Sequence, residues 1–80
     1  MMNEKTDDIK IGNRIRLVRE DLGMTRDNLS ELIDITPYFL GQIERGERNM
    51  SVKTLIKIAT CLNVSIDYLV YGTDKKSEQK

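Results

Sequence analysis

The stretch 24–46 constrains the fold of this chain more than any other, because it predicts two short helices joined by a sharp turn. Thr25 is a candidate N-cap, whose hydroxyl oxygen can accept from the free N–H groups at the start of a helix. The residues after it place apolar side chains at i, i+3 and i+4, on one helix face: Leu29, Leu32 and Ile33. A second start follows at Thr36, where Pro37 occupies the first helical position. We therefore expect two helices of about two turns each, separated by about three residues.

The second of these helices, predicted over residues 37–45, is amphipathic. Leu40 and Ile43 lie on its inner face, and Gly46 is placed to end it in a left-handed conformation. Its outer face brings together an aromatic ring, a gap, a planar amide and a cation: Tyr38, Gly41, Gln42 and Arg45. An ordinary solvated helix face is the alternative interpretation, whereas the short turn and the two capped starts favour a nucleic-acid contact.

Four helix starts share one pattern, in which an apolar residue precedes a Ser or Thr cap and a second apolar residue follows four positions after the cap. This arrangement, the hydrophobic staple, fixes the angle at which the chain enters a helix. The four sets are Met24-Thr25-Leu29, Ile35-Thr36-Leu40, Met50-Ser51-Leu55 and Val64-Ser65-Leu69. Short helices with fixed entry angles predict a compact globule rather than a long bundle.

The predicted fold class is all-α, with five helices in one compact domain. The first helix is expected from Thr6 or Asp7 to about Leu22, the fourth over 52–62, and the fifth over 66–71 with Gly72 at its end. The inner face of the first helix is expected to carry Ile11, Ile15, Val18 and Leu22. The domain is expected over residues 7–72, between a disordered N-terminus, 1–6, and a disordered tail, 73–80.

Composition bounds the setting and the chemistry. The sequence has no His and one Cys, Cys61, so it has neither an imidazole base nor an internal disulfide, and no Gly-rich phosphate loop follows a strand. No apolar run approaches the roughly 20 residues that span a bilayer, and the polar N-terminus is unlike a signal peptide. We therefore expect a cytoplasmic protein that is not an enzyme, with no metal, no cofactor, no small-molecule ligand and no membrane partner.

The motifs resemble those of the phage repressor and Cro type of DNA-binding domain, also called XRE-like regulators. The residues that carry the resemblance are Ile11-Gly12-Asn13-Arg14-Ile15-Arg16, Arg19, Gly23-Met24-Thr25, Leu29-Ser30, Ile35-Thr36, Gln42-Ile43-Glu44-Arg45-Gly46, Ser51, Leu55, Ile58-Ala59, Leu62-Asn63-Val64-Ser65 and Asp67-Tyr68-Leu69. The resemblance implies a helix-turn-helix and a sequence-specific DNA-binding transcriptional regulator. Repression by promoter occupancy is the expected mode, because the sequence shows no second domain to recruit polymerase or sense a ligand. One departure is Asp34, in a turn where the family commonly has Gly; Asp tolerates the left-handed conformation at some cost.

The candidate site residues follow from the outer face together with the resemblance. Base readout in double-stranded DNA is expected at the start and outer face of the helix 37–45, from Thr36, Pro37, Tyr38, Gly41 and Gln42. Phosphate contacts are expected from Arg26, Asn28, Arg45, Arg48, Asn49 and Lys53. The resemblance also implies a partly buried ion pair between Arg19 and Glu44 behind the DNA-binding face. The alternatives are a packing role for Tyr38, a plain surface role for each cation, and a direct phosphate contact for Arg19.

The last helix has more apolar side chains than one short helix needs: Ile66, Tyr68, Leu69, Val70 and Tyr71. One interpretation is that all of them cover the core. The other is a two-fold homodimer surface, which would place two recognition helices about 34 Å apart on a palindromic DNA site. The sequence leaves both interpretations open.

The charge balance opposes a simple DNA-binding interpretation. The sequence has 13 basic and 13 acidic residues, whereas a basic footprint is typical of DNA-binding domains. A protein-interaction module, such as an antitoxin or an adaptor with weak or absent DNA binding, is therefore the alternative function. Acidic residues along the two central helices favour it: Asp27, Glu31, Asp34 and Glu47.

Overall fold

The computed structural model describes residues 4–73, with side chains from residue 7 onward. The helices in this part of the chain are α1, Glu4–Asp21; α2, Arg26–Ile33; α3, Pro37–Glu44; α4, Val52–Leu62; and α5, Ile66–Tyr71. The predicted all-α architecture of five helices is confirmed. Helices α2 to α5 begin at the predicted residues, and α3 ends one residue earlier than predicted.

Helix α1 begins before the predicted residue. Its first residue is Glu4, so residues 4–6 are helical and the expected disorder of the whole stretch 1–6 is wrong for them. No Gly or Pro precedes Gly12 in this helix, and Asp7 and Asp8 place negative charge near its positive dipole end, so nothing stops the helix from extending. Thr73 has no regular structure, whereas residues 1–3 and the tail residues 74–80 lie outside the described part of the chain.

The four predicted N-caps all form. The hydroxyl oxygens of Thr25, Thr36, Ser51 and Ser65 each accept a hydrogen bond from the backbone N–H three residues later. Each cap of this kind stabilises a helix by about 0.5–2 kcal/mol. The leucines that follow the caps are buried or half-buried in the core: Leu29, Leu40, Leu55 and Leu69. This packing is what the hydrophobic staple predicts.

The ends of α1 to α4 share a second local geometry, the Schellman motif. A residue one or two positions after the end of each helix is left-handed, with φ between 58° and 76°: Gly23, Asp34, Gly46 and Asn63. After α3, for example, Gly46 N–H donates to the Ile43 carbonyl at 3.0 Å and Glu47 N–H donates to the Gln42 carbonyl at 2.8 Å. Asp34 takes the left-handed position between α2 and α3, as predicted.

The core is aliphatic and joins all five helices. Helix α1 packs against α3 and α5, and α2 packs against α3 and α4. The buried apolar residues are Ile15, Val18, Leu29, Ile33, Leu40, Ile43, Ile58, Ala59, Leu62, Val64 and Leu69. Both helices of the central pair therefore rest on one core, which fixes the position of their outer faces.

Two leucines predicted on inner faces are instead exposed, Leu22 by 54% and Leu32 by 64%. Leu22 follows the last residue of α1, where left-handed Gly23 turns the chain away. The buried stripe of α2 consists of Leu29, Ser30 and Ile33. Leu32 lies roughly 100° around the helix from the middle of that stripe, so its side chain projects into solvent.

Gly12 makes the crossing of α1 and α3 close. A Cβ at this position would overlap the Ile43 carbonyl oxygen and lie 2.6 Å from the Glu44 carbonyl oxygen. Both obstacles are backbone atoms, which cannot move aside as a flexible side chain can. The missing side chain therefore lets the backbone of α1 approach the end of α3 closely.

Candidate nucleic-acid interface

The outer face of α3 is open to solvent at its N-terminal end. Tyr38 is 74% exposed, Thr36 and Pro37 are also exposed, and Gln42 is half-buried. Gly41 is buried, because the guanidinium of Arg45 lies over it, with Nη1 3.1 Å from the position that a Cβ would occupy. The gap predicted at Gly41 for close backbone approach is thus filled by the side chain of Arg45, the residue that follows the helix.

Behind this face, Arg19 of α1 meets Glu44 of α3. Arg19 Nε donates to Glu44 Oε2 at 2.7 Å, and Arg19 Nη2 donates to Glu44 Oε1 at 3.1 Å. Arg19 Nη1 donates to the Met24 carbonyl at 2.8 Å. The two side chains are 6% and 1% exposed, so the pair predicted between them is present and buried. Its hydrogen bonds raise the pKa of the Arg19 guanidinium, against the opposing effect of burial.

Arg26 adds a third donor to the same carboxylate. Its Nε lies 3.0 Å from Glu44 Oε1, and its side chain is 45% exposed. Two guanidiniums therefore share one buried carboxylate, and Arg19 Nη2 also lies 3.9 Å from Glu20 Oε2. Arg26 is the exposed cation of this cluster. The sequence predicts a phosphate contact for Arg26 and gives no signal of its contact with Glu44. Glu44 is 18 residues away along the chain, and only the packing of α2 on α3 brings them together.

Arg45, at the end of α3, pairs with Glu47. Arg45 Nε lies 3.0 Å from Glu47 Oε2, and Arg45 Nη2 lies 3.3 Å from Glu47 Oε1, with both side chains 52% exposed. The hydrogen bonds to Glu47 raise the pKa of Arg45. The cation predicted to face DNA phosphate is therefore engaged with a carboxylate of its own chain.

Three more of the predicted phosphate-contact residues also have partners within the chain. The amide oxygen of Asn28 accepts from the Thr25 N–H at 3.1 Å, which completes a capping box at the start of α2. The Arg48 guanidinium carbon lies 5.5 Å from the centre of the Phe39 ring, within cation–π range. With its NH₂ oriented toward Asp8, Asn49 donates to both carboxylate oxygens, at 2.6 and 3.1 Å. The sixth, Lys53, is exposed in the first turn of α4.

The apolar surface of α5 is smaller than predicted. Leu69 is fully buried and belongs to the core, so its assignment to a dimer surface is wrong. The reason is its place opposite the Ser65 cap, where the staple turns it inward. The side chains that reach solvent are Tyr71, 65% exposed, and Ile66, 37% exposed, while Tyr68 and Val70 are half-buried.

Two features are absent from the described part of the chain. No group of three or more His, Cys, Asp or Glu side chains in this part of the chain is arranged to hold a metal ion. None of the helices in the described range is long and apolar enough to cross a membrane.

Comparison with known proteins identifies the family. The family described as helix-turn-helix matches residues 15–69, which contain the capped pair α2 and α3. The chain belongs to the helix-turn-helix family. Its predicted likeness to repressor-type regulators is thereby confirmed, and so is its class of function, a DNA-binding transcriptional regulator. The family is a class of regulators rather than of enzymes.

Individual relatives agree with this assignment. The chain is 32% identical over 74 residues to the control protein C.SmaI of Serratia marcescens, a match that covers 90% of this chain and 88% of that one. The crystal structure of the restriction-modification controller protein C.AhdI of Aeromonas hydrophila is similar, with a TM-score of 0.76 and 33% identity over 80% of this chain and 97% of that one. The P22 c2 repressor, in a crystal structure with a synthetic operator, has a TM-score of 0.74 and 29% identity, over 78% of this chain and 94% of that one.

Other relatives are longer than the matched region. The chain spans 54% and 52% of two uncharacterised helix-turn-helix regulators from Rickettsia conorii and Rickettsia prowazekii. The shared part is thus about half of those proteins.

Proposed function

We propose that this protein is a cytoplasmic transcriptional repressor that binds double-stranded DNA with α3 in the major groove. The observation that carries the proposal is the position of Tyr38, which is 74% exposed at the N-terminal end of α3 and is not covered by the described part of the chain. In this motif the N-terminal residues of the second helix contact base edges. Repression follows if the bound protein occupies a promoter.

The proposed base contacts use the outer face of α3. The Gln42 amide can donate to and accept from adenine, and the Tyr38 ring can contact a thymine methyl group. Thr36 and Pro37 lie at the end of the helix that points at the bases. Gly41 becomes accessible to DNA when the Arg45 side chain moves away from it.

The proposed phosphate contacts flank this face. Arg26 is tethered to Glu44 through Nε, which leaves its two terminal NH₂ groups available for phosphate. Asn28 keeps its NH₂ group for the same purpose, because only its oxygen is used by the capping box. The remaining contacts are assigned to Arg45, Arg48, Asn49 and Lys53.

A two-fold homodimer through α5 is part of the proposal. The surface consists of Ile66, Tyr68, Val70 and Tyr71, with Tyr71 the most exposed. We expect sedimentation equilibrium to give a dimer for the native chain and a monomer for Tyr71→Asp, with unchanged helical circular dichroism. A monomeric native chain at the same concentration would remove the dimer from the proposal.

The deciding experiment is selection of bound sequences from a random duplex pool at low salt. The native protein should enrich a short motif, with an inverted repeat if the dimer forms. Gln42→Ala should lose the preference at one or two positions, at about 1–3 kcal/mol for each lost bidentate contact. Thr60→Ala, an exposed change on α4 outside the proposed site, should keep the motif.

A protein-interaction module is the second candidate. The observation in its favour is that Arg26 and Arg45 are both paired with glutamates in a chain of zero net charge. Absence of any enriched motif, together with a tight protein partner in a pull-down that Tyr38→Ala abolishes, would favour this function over DNA binding.

A further inference from the structure

The pair between Arg45 and Glu47 lies on the proposed DNA-binding face itself. The Arg45 guanidinium lies over Gly41, one turn back along the outer side of α3, and Glu47 holds it there through two contacts of 3.0 and 3.3 Å. The Arg45 guanidinium therefore lies along the outer side of α3, where it is paired with the Glu47 carboxylate. A DNA phosphate that approaches this end of α3 must compete with Glu47 for the same donors.

The backbone of the turn after α3 fixes the position of Glu47. Its N–H donates to the Gln42 carbonyl at 2.8 Å in the Schellman motif, and the left-handed Gly46 before it has φ +76°. A Cβ at Gly46 would lie 2.6 Å from Ile9 Cα, so the turn is also confined from outside. The Cα of Glu47 thus has a fixed place beside the end of α3.

The identity of the residue at this position is exceptional among the Schellman motifs of residues 4–73. The other three Schellman motifs put an apolar residue at the equivalent position, Met24, Ile35 and Val64, and each packs on or within the core. An apolar contact is the usual accompaniment of the motif. After α3 the chain has instead an exposed glutamate, whose carboxylate contacts the outer-face cation.

We propose that Glu47 competes with DNA phosphate for the Arg45 guanidinium, and that this competition within the molecule weakens sequence-independent binding to DNA. The inference rests on the proposed function and adds a residue that opposes it. Non-specific binding consists almost entirely of the phosphate contribution, so it is the mode that a neutralised cation weakens directly. Exposed ion pairs are weak, so Arg45 can still exchange Glu47 for a phosphate.

The test measures binding to a generic duplex of fixed length, which requires no knowledge of the operator. Glu47→Gln should bind about two- to fivefold more tightly than the native protein at low salt. The slope of log K against log salt should steepen by up to about 0.9, the contribution of one additional phosphate contact. Equal affinities and equal slopes for the two proteins would overturn the inference.

Two control variants separate this mechanism from a general change of charge. Glu20→Gln removes the same charge from another exposed glutamate, which pairs with Arg16 at 3.1 Å and lies 3.9 Å from Arg19 Nη2, with 51% exposure against 52% for Glu47. Its affinity should change much less than that of Glu47→Gln. In an Arg45→Gln background, Glu47→Gln should give no gain. An undiminished gain in that background, or an equal gain from Glu20→Gln, would overturn the inference.

The proposed function and the inference fail differently. If the native protein and every variant leave the generic duplex unbound at low salt, DNA binding by this face is contradicted. If all of them bind with one affinity, DNA binding stands and the role of Glu47 is contradicted.

Discussion

Glu44 is buried although its side chain is a carboxylate. Its carboxylate is 1% exposed and accepts from Arg19 through two N–H groups and from Arg26 through one. A charge without this pairing would be strongly unfavourable in such a place. The residue therefore serves to hold α1, α2 and α3 together at one point, directly behind the outer face of α3.

This environment predicts unequal effects for two glutamates. Glu44→Ala leaves Arg19 buried without its partner, and breaking a buried pair in this way costs about 3–5 kcal/mol. Glu47→Ala removes only an exposed pair and should change the melting temperature little. Thermal melts followed by circular dichroism compare them, and equal shifts would show that the buried pair has no special structural weight.

Asp34 gives a second prediction at this scale. Its φ is +62°, in the region that Gly adopts without strain. Asp34→Gly should therefore be more stable than Asp34→Ala by about 1 kcal/mol, since Ala pays the left-handed penalty without a polar side chain to offset it. Urea denaturation of the two variants measures the difference, and the reverse order would contradict the backbone explanation.

At the scale of elements, the approach of α1 to α3 depends on one missing Cβ. The backbone carbonyls of Ile43 and Glu44 occupy the space that a side chain at Gly12 would need. The intrinsic cost of Gly in a helix is about 1 kcal/mol relative to Ala. Close packing of the two helices, with the Arg19–Glu44 pair beside it, offsets that cost.

Two matched Gly→Ala changes test this account. Gly12→Ala should unfold the protein or destabilise it by at least about 3 kcal/mol, which is the upper end of the usual cost of overpacking a core. The reason is that the added methyl group meets backbone atoms. Gly41→Ala meets only the end of the Arg45 side chain, at 3.1 Å, and should be neutral or stabilising by up to about 1 kcal/mol. Free energies of unfolding in urea decide between them, and similar losses for both would refute a specific role for Gly12.

At the scale of the whole molecule, a regulator with zero net charge must bind DNA through a local arrangement of cations. Arg26 and Arg45 are paired with carboxylates in the free protein, and Arg48 lies against an aromatic ring. These pairings reduce the positive potential of the face before DNA arrives. Affinity for arbitrary DNA should accordingly be modest, and discrimination should depend on the base contacts of α3.

The salt dependence of binding expresses this prediction quantitatively. Four cations, Arg26, Arg45, Arg48 and Lys53, at about 0.9 each allow a slope of log K against log salt no steeper than about 3.6. Fluorescence anisotropy titrations with a labelled duplex at several salt concentrations measure it. A slope of zero would exclude the whole cation set, and a much steeper slope would require cations outside it.

The sequence by itself determined the starts of α2 to α5, their caps and the turn at Asp34. These features are hydrogen bonds and backbone angles among residues three to five positions apart, so their signals lie within a short window: Thr25 to Asn28, Thr36 to Phe39, Gln42 to Glu47. The start of α1 was the exception, because Thr6 and Asp7 are candidate caps in the sequence and the helix runs through both of them.

Only the tertiary structure decided which cations are neutralised and which apolar side chains are buried. Arg26 reaches Glu44 across 18 residues, and the Leu69 carbonyl accepts from Arg14 across 55. Such contacts depend on how α2 and α5 pack against the rest of the core, and no local pattern encodes that geometry. The outer face of α3 was therefore predictable as a surface, and Glu47 lies only two residues from Arg45. The contact between Arg26 and Glu44, in contrast, became evident only when α2 and α3 were placed together.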